Sequence, residues 1–143
     1  MSQGRAASVV GKILVFILLI SLGAVSAQYG LLVLGGRTLQ KAAHAGAREA
    51  ASAEGSRASV LAAVQSTLEG KAWASRVHTD VLVAGVLDVG QTQGTELARA
   101  RSGSRVQVEV SARAAEVVPY LFGSTALSIQ GLKLSAVSAG TRQ

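Results

Sequence analysis

Hydrophobic and polar positions divide this chain into three regimes. From Ile13 to Gly36 the sequence reads ILVFILLISLGAVSAQYGLLVLGG, and no charged side chain falls between Lys12 and Arg37. A helix of that length reaches about 36 Å. The hydrocarbon core of a bilayer is about 30 Å thick, so the run is long enough to cross a membrane with some tilt. From Arg37 to Ala53 the sequence RTLQKAAHAGAREAASA is rich in alanine and free of proline, which favours continuation of the helix into water. Gly35-Gly36 is the expected place for a kink or break, because each glycine costs about 1 kcal/mol against alanine inside a helix. Leu39, Ala43, Gly46, Ala47 and Ala50 recur at spacings of three and four and share one face. Side chains this small let a second backbone approach closely, either a helix or a sheet. Lys41, Arg48 and Glu49 occupy the opposite side.

Beyond Gly55 the period is first helical and then strand-like. Ser56 is a natural N-cap for a helix over residues 57–68, with Val60, Leu61, Val64 and Leu68 on one stripe and Gly70 as its stop. Trp73 is expected to seal the edge of the core. Val77, Thr79, Val81 and Val83 alternate with His78, Asp80 and Leu82, which predicts a strand. Residues 86–89 extend it or begin another edge. The stretch GQTQGTELARARSGS, residues 90–104, reads as a surface loop or hairpin connection. Arg105 to Ala112 is the clearest strand, with Val106, Val108 and Val110 facing one way and Gln107, Glu109 and Ser111 the other. Pro119 interrupts VVPYLFG and predicts a turn or short helical segment. Residues 127–137 alternate again and predict the last strand, with Gly131 allowing a bulge. Residues 140–143 read as a polar tail.

The length, 143 residues, accommodates an anchor and one domain of about a hundred residues. The absence of cysteine removes disulfides, zinc–thiolate sites and cysteine nucleophiles. Aromatic residues are few, so the core is to be built from small aliphatics. The formal net charge is +6, but the basic residues are scattered. The small cluster at Arg99, Arg101 and Arg105 has no interleaved aromatics for stacking on bases, which argues against specific nucleic-acid binding. Lys12, Arg37 and Lys41 flank the apolar run as headgroup contacts do. The remaining charge reads as general affinity for an anionic surface.

The apolar run admits two readings. One is a retained anchor. The other is a secretory signal, with Arg5 and Lys12 as its basic flank, Ile13 to Leu22 as its apolar centre, and Val25-Ser26-Ala27 before a cleavage at Gln28. Continuation of the apolar run through Tyr29 to Leu34 favours the anchor. Gln28 is then a polar residue near the outer interface, beside the amphipathic Tyr29, with a polar helix–helix contact as the second reading. A short N-terminal flank and a long C-terminal domain favour a cytoplasmic N-terminus and an extracytoplasmic C-terminal domain.

Catalytic chemistry finds little support. His44 lies among alanines with no second ligand at metal spacing and reads as a partly exposed helix position. His78 and Asp80 share a strand face at i and i+2, close enough to hydrogen-bond, with no nucleophile nearby. The carboxylates occur singly, and no glycine-rich phosphate loop follows a strand.

The stretch Ala42-Ala43-His44-Ala45-Gly46-Ala47-Arg48, followed by Glu49-Ala50-Ala51, directly follows the apolar helix. In that position it resembles the TadE-like family of bacterial pilus-associated proteins, which carry a motif of the form A-A-x-x-G-A-R after the membrane helix. The second half adds to the resemblance: a valine-alternating strand, the VVPYLFG turn and a closing strand near SAVSA, residues 135–139. The resemblance covers most of the chain in order. It implies a pilin-like or pseudopilin-like assembly component of a tight-adherence pilus or related secretion system, held in the bacterial cytoplasmic (inner) membrane. Such a protein is not an enzyme and carries no cofactor, metal or small-molecule substrate. Its partners are the lipid bilayer and other pilus or secretion subunits, including its own copies. The chain departs from processed pilins in one respect. Those carry a glutamate five residues after the glycine at the cleavage site, whereas Val9 and Phe16 stand five residues after Gly4 and Gly11. An unprocessed anchored relative is therefore expected.

The expected architecture is α+β. Residues 1–12 form a short flank, 13–36 a transmembrane helix, 37–54 its extension, and 55–143 a small extracytoplasmic domain with a second helix and an antiparallel sheet. The interface residues expected to carry function are Ala43, Gly46, Ala47 and Ala50, with Arg48 and Glu49 beside them.

Overall fold

A computed structural model describes residues 3–84, 86–87, 96–118 and 131–143. One helix, α1 (Gln3–Ala51), runs for 49 residues and carries everything else on its C-terminal half. It passes through Gly35 and Gly36 without interruption, so the break expected there does not occur. The reason is local: Gly35 is held against Val117 and Leu134, which occupy the space a side chain would need. Tertiary packing thus supports Gly35 where propensity alone disfavours it.

After a tight turn the chain enters α2 (Arg57–Leu68). The Ser59 amide donates to Ser56 Oγ at 3.2 Å, and the Ser56 amide donates to Ser59 Oγ at 3.0 Å. This is a reciprocal capping box with serine in place of the usual acid or amide three residues on. Val60, Val64 and Leu68 are buried on one stripe, and Gly70 takes a positive φ of 80° just beyond the helix end. Trp73 is half-buried against the core, as its position suggested. A short 3₁₀ turn (Ala74–Arg76) then leads into the sheet.

Among the described residues the sheet has four antiparallel strands in the order β2-β1-β3-β4. Its strands are β1 (His78–Val83), the two-residue edge β2 (Val86–Leu87), β3 (Arg105–Arg113) and β4 (Lys133–Thr141). Val81 and Val83 of β1 stand opposite Val108 and Val106 of β3. In turn Val106, Val108 and Val110 stand opposite Gly140, Ser138 and Ala136 of β4. These residues form one face, which α1 and α2 cover. The period of two and the β-branched side chains account for it: valine packs well on a pleated surface buried on one side. The chain is accordingly α+β, with a long apolar N-terminal helix, a second helix and a small antiparallel sheet.

Three sequence expectations need correction. The segment expected as a loop at 90–104 contains a helical turn, α3 (Glu96–Arg99), and its Leu97 is fully buried. The last strand lies further along than expected, at Lys133–Thr141, while Leu127 and Ile129 fall outside the described residues. The supposed polar tail is structural. Gly140 and Thr141 belong to β4, Arg142 is buried, and the Gln143 amide donates to the Ala51 carbonyl at 2.9 Å. A further short helix, α4 (Ala114–Val117), precedes the proline segment, whose residues from Pro119 on fall outside the described ones.

Candidate functional site

The small-residue face of α1 is where helix, helix and sheet meet. Ala43 and Ala50 are fully buried and Ala47 nearly so. Gly46 is closely packed on two sides. A Cβ there would lie 2.9 Å from Val64 Cγ2 of α2 and 3.1 Å from Val108 Cγ1 of β3. On the β4 side Gly140 makes the reciprocal approach, since a Cβ on it would lie 3.1 Å from Ala51 Cβ and 3.3 Å from the Ala47 carbonyl. Helix and strand backbones therefore come together with almost no side chain between them. The neighbours that the sequence left open, a helix or a sheet, are here both, and both belong to the chain itself. Arg48 is exposed and Glu49 half-buried, on the side away from this contact.

The buried stripe extends further toward the N-terminus than the sequence reading placed it. Gln28, Leu32, Gly35, Leu39, Ala42 and Gly46 follow one another at alternating steps of four and three and turn toward the domain. That spacing was available in the sequence, but the apolar run on every side of it hid the signal. Gln28 is the largest departure. It is only 3% exposed, and its Oε1 has no hydrogen-bond partner among the described residues. It is therefore turned into the protein rather than placed at an interface, while the neighbouring Tyr29 is exposed.

Two side chains that pattern reading passed over join α1 to the last strand. His44 Nδ1 lies 2.8 Å from Ser138 Oγ, so this histidine is a helix-to-sheet link as well as a partly open position. The Arg142 guanidinium donates to three carbonyls beyond and within the last turn of α1: Ala53 at 3.0 Å, and Ala50 and Gly55 at 3.3 Å each. It satisfies acceptors that a helix end otherwise leaves open. A lone arginine between a threonine and a glutamine offers no sequence signal for this role.

Below the domain, α1 is bare. Every large apolar side chain from Val9 to Leu22 is exposed, at 45 to 68%. Three hydroxyls in and above this part bond inside the helix. Ser21, Ser26 and Thr38 hydroxyls each donate to the carbonyl four residues earlier, at 2.9 Å. A helix meets its own hydrogen-bonding needs in this way where no water is at hand. The helix is long and apolar enough to cross a membrane, and its apolar window is uncovered by the domain.

On the sheet's outer face His78 Nε2 lies 3.1 Å from Asp80 Oδ1, a contact their spacing allows, and the imidazole is largely exposed. Lys133 Nζ lies 3.7 Å from Glu109 Oε1 across β3 and β4. Among the described residues no three histidine or acidic side chains converge on a point where a metal would sit.

In comparisons with known proteins, no family model, no curated protein and no solved structure matches the chain.

Proposed function

We propose that this chain is a single-pass membrane-anchored assembly component of the TadE-like kind, which acts by protein–protein packing in a tight-adherence pilus or related secretion apparatus. The observation that carries the membrane part is the bare apolar surface from Val9 to Leu22, continuous with the helix on which the domain is built. An area of this size left in water is unfavourable at about 25 cal/mol per Å², and lipid removes that cost. The pilus part rests on the motif Ala42 to Arg48 and on the order of elements after it. Packing of Ala43, Gly46, Ala47 and Ala50 within the chain leaves the outer sheet face, Arg48 and the bare helix surface as the places where other subunits would attach.

The test is fractionation of the native cell, followed by intact mass and N-terminal sequencing. The proposal expects the chain in the membrane fraction after an alkaline wash, starting at Met1 or Ser2. Deletion of the gene should then abolish the cell's tight-adherence pili. Wild-type piliation in the deletion strain would remove the pilus assignment and leave the anchor standing.

One observation favours a second reading. Apart from the half-covered Ala24 and Val25, packing on the domain begins at Gln28, the residue that follows the signal-peptidase pattern at Val25 to Ala27. Cleavage there would leave the packed body complete and release a soluble binding module. A soluble chain starting at Gln28 would establish this reading and overturn the anchor.

A further inference from the structure

The outer face of the sheet holds an open cleft of about 600 Å³ at one end. Arg76, Arg113 and Lys133 line it, together with His78, Ser111 and Glu116. Strand register explains the gathering: Arg113 stands opposite Lys133, and His78 opposite Ser111. All three cationic side chains are exposed. Arg76 and Arg113 make no ion pair among the described residues, and Lys133 has only the 3.7 Å contact with Glu109. With His78 neutral the lining carries three positive charges against the single carboxylate of Glu116.

The height of this cleft along α1 gives it meaning. Leu134, next to Lys133, packs on Gly35, and so does Val117 of α4. Gly35 stands about 33 Å above Ile13 along the helix axis, close to the hydrocarbon thickness of about 30 Å. When Ile13 to Leu34 fill the apolar layer, the cleft faces the phosphates of the adjoining leaflet. Arg37 is exposed on α1 at the same height, and Leu132 is exposed beside Lys133. Cationic groups next to an exposed apolar side chain suit the boundary between headgroups and acyl chains.

We propose that Arg76, Arg113 and Lys133 form a binding cleft for a phosphate-bearing headgroup, and that its occupant is an anionic phospholipid of the membrane crossed by α1. Guanidinium pairs bind phosphate through parallel N–H donors, and the neighbouring ammonium adds a point charge. The bound headgroup fixes the depth and rotation of the domain on the bilayer. This inference rests on the anchored reading above.

The test reconstitutes the full chain in nanodiscs of mixed phosphatidylglycerol and phosphatidylcholine, then counts retained lipid by native mass spectrometry. Wild type should retain phosphatidylglycerol in preference to phosphatidylcholine. The triple variant R76Q/R113Q/K133Q should lose that preference by about fivefold for each charge removed. The triple variant R99Q/R101Q/R105Q carries the same net charge change at the far end of the sheet and should keep it. Equal retention by both glutamine variants would overturn the proposal. Displacement of the retained lipid by inorganic phosphate at matched concentration would assign the cleft to soluble phosphate instead and overturn the lipid assignment. If the chain does not enter nanodiscs at all, the anchored reading fails. Entry without headgroup preference sinks only the cleft.

Discussion

Arg142 Nη2 donates to the carbonyl of Ala53 at 3.0 Å, and through this bond the end of the last strand closes the end of the first helix. With the bonds to Ala50 and Gly55, one guanidinium serves three carbonyl acceptors at and just beyond the end of α1. Arginine suits the position because its fork presents several donors in fixed geometry. Replacing it by leucine leaves buried carbonyls unpaired, so Arg142→Leu should cost about 2–4 kcal/mol. Arg142→Lys should recover less than half of that loss. Denaturant unfolding in detergent micelles, followed by the fluorescence of the single tryptophan, Trp73, measures both.

Gly46 offers a sharper probe of the packed face. Gly46→Ala would force a methyl against Val64 and Val108, with an expected loss of about 1–3 kcal/mol. Adding Val64→Ala should return part of that loss, because the nearest of these contacts, 2.9 Å, is with Val64 Cγ2. Additive effects of the two substitutions in a double-mutant cycle would show that they do not share the contact.

Gly35 and Gly36 are neighbours in sequence and opposites in packing. A Cβ at Gly35 would run into Val117, whereas one at Gly36 meets nothing within 4 Å. Gly36→Ala should therefore stabilise the helix by about 1 kcal/mol, and Gly35→Ala should destabilise the fold. Hydrogen exchange over residues 32–39 reports both signs in one experiment.

Gln28 carries a carbonyl oxygen that has no partner among the described residues, in a buried position. Gln28→Met keeps the volume and removes the polar atom, so stability should rise by about 1–3 kcal/mol. A fall in stability on the same measurement would mean that the amide has a partner in the folded chain.

Ala84 adopts a φ of 49° at the turn from β1 to β2, a conformation that disfavours alanine. In sequence Gly85 follows it, and Asn-Gly is the preferred pair for a two-residue hairpin turn. Ala84→Asn should raise the unfolding midpoint modestly, equivalent to a few tenths to about 1 kcal/mol.

Much of the architecture was legible before folding was considered, because it depends on periodic burial. The valines of β1 and β3 show their inner face at every second residue. Val60, Val64 and Leu68 show theirs at every fourth, and Ser56 announces the start of α2 by its own side-chain bond. The interface residues Ala43, Gly46, Ala47 and Ala50 were legible as a face for the same reason, but whether that face met a partner or the chain's own sheet was not. The stripe from Gln28 to Leu39 was obscured because a run that is apolar on all sides has no polar face to set off a buried one.

What the sequence determined by itself is what neighbours along the chain decide. The length of the uncharged run gives a helix long and apolar enough to cross a membrane, alternation gives strands, and serine before a helical pattern gives a cap. What only the tertiary structure decided is what residues distant in sequence do when they meet. Examples are the burial of Gln28, the link from His44 to Ser138, the Arg142 closure of α1, and the convergence of Arg76, Arg113 and Lys133 in one cleft. Periodicity is a local property that repeats and so can be read from a string. Each of these contacts is a single event between segments brought together by the fold, and one residue standing alone has no period to reveal its partner.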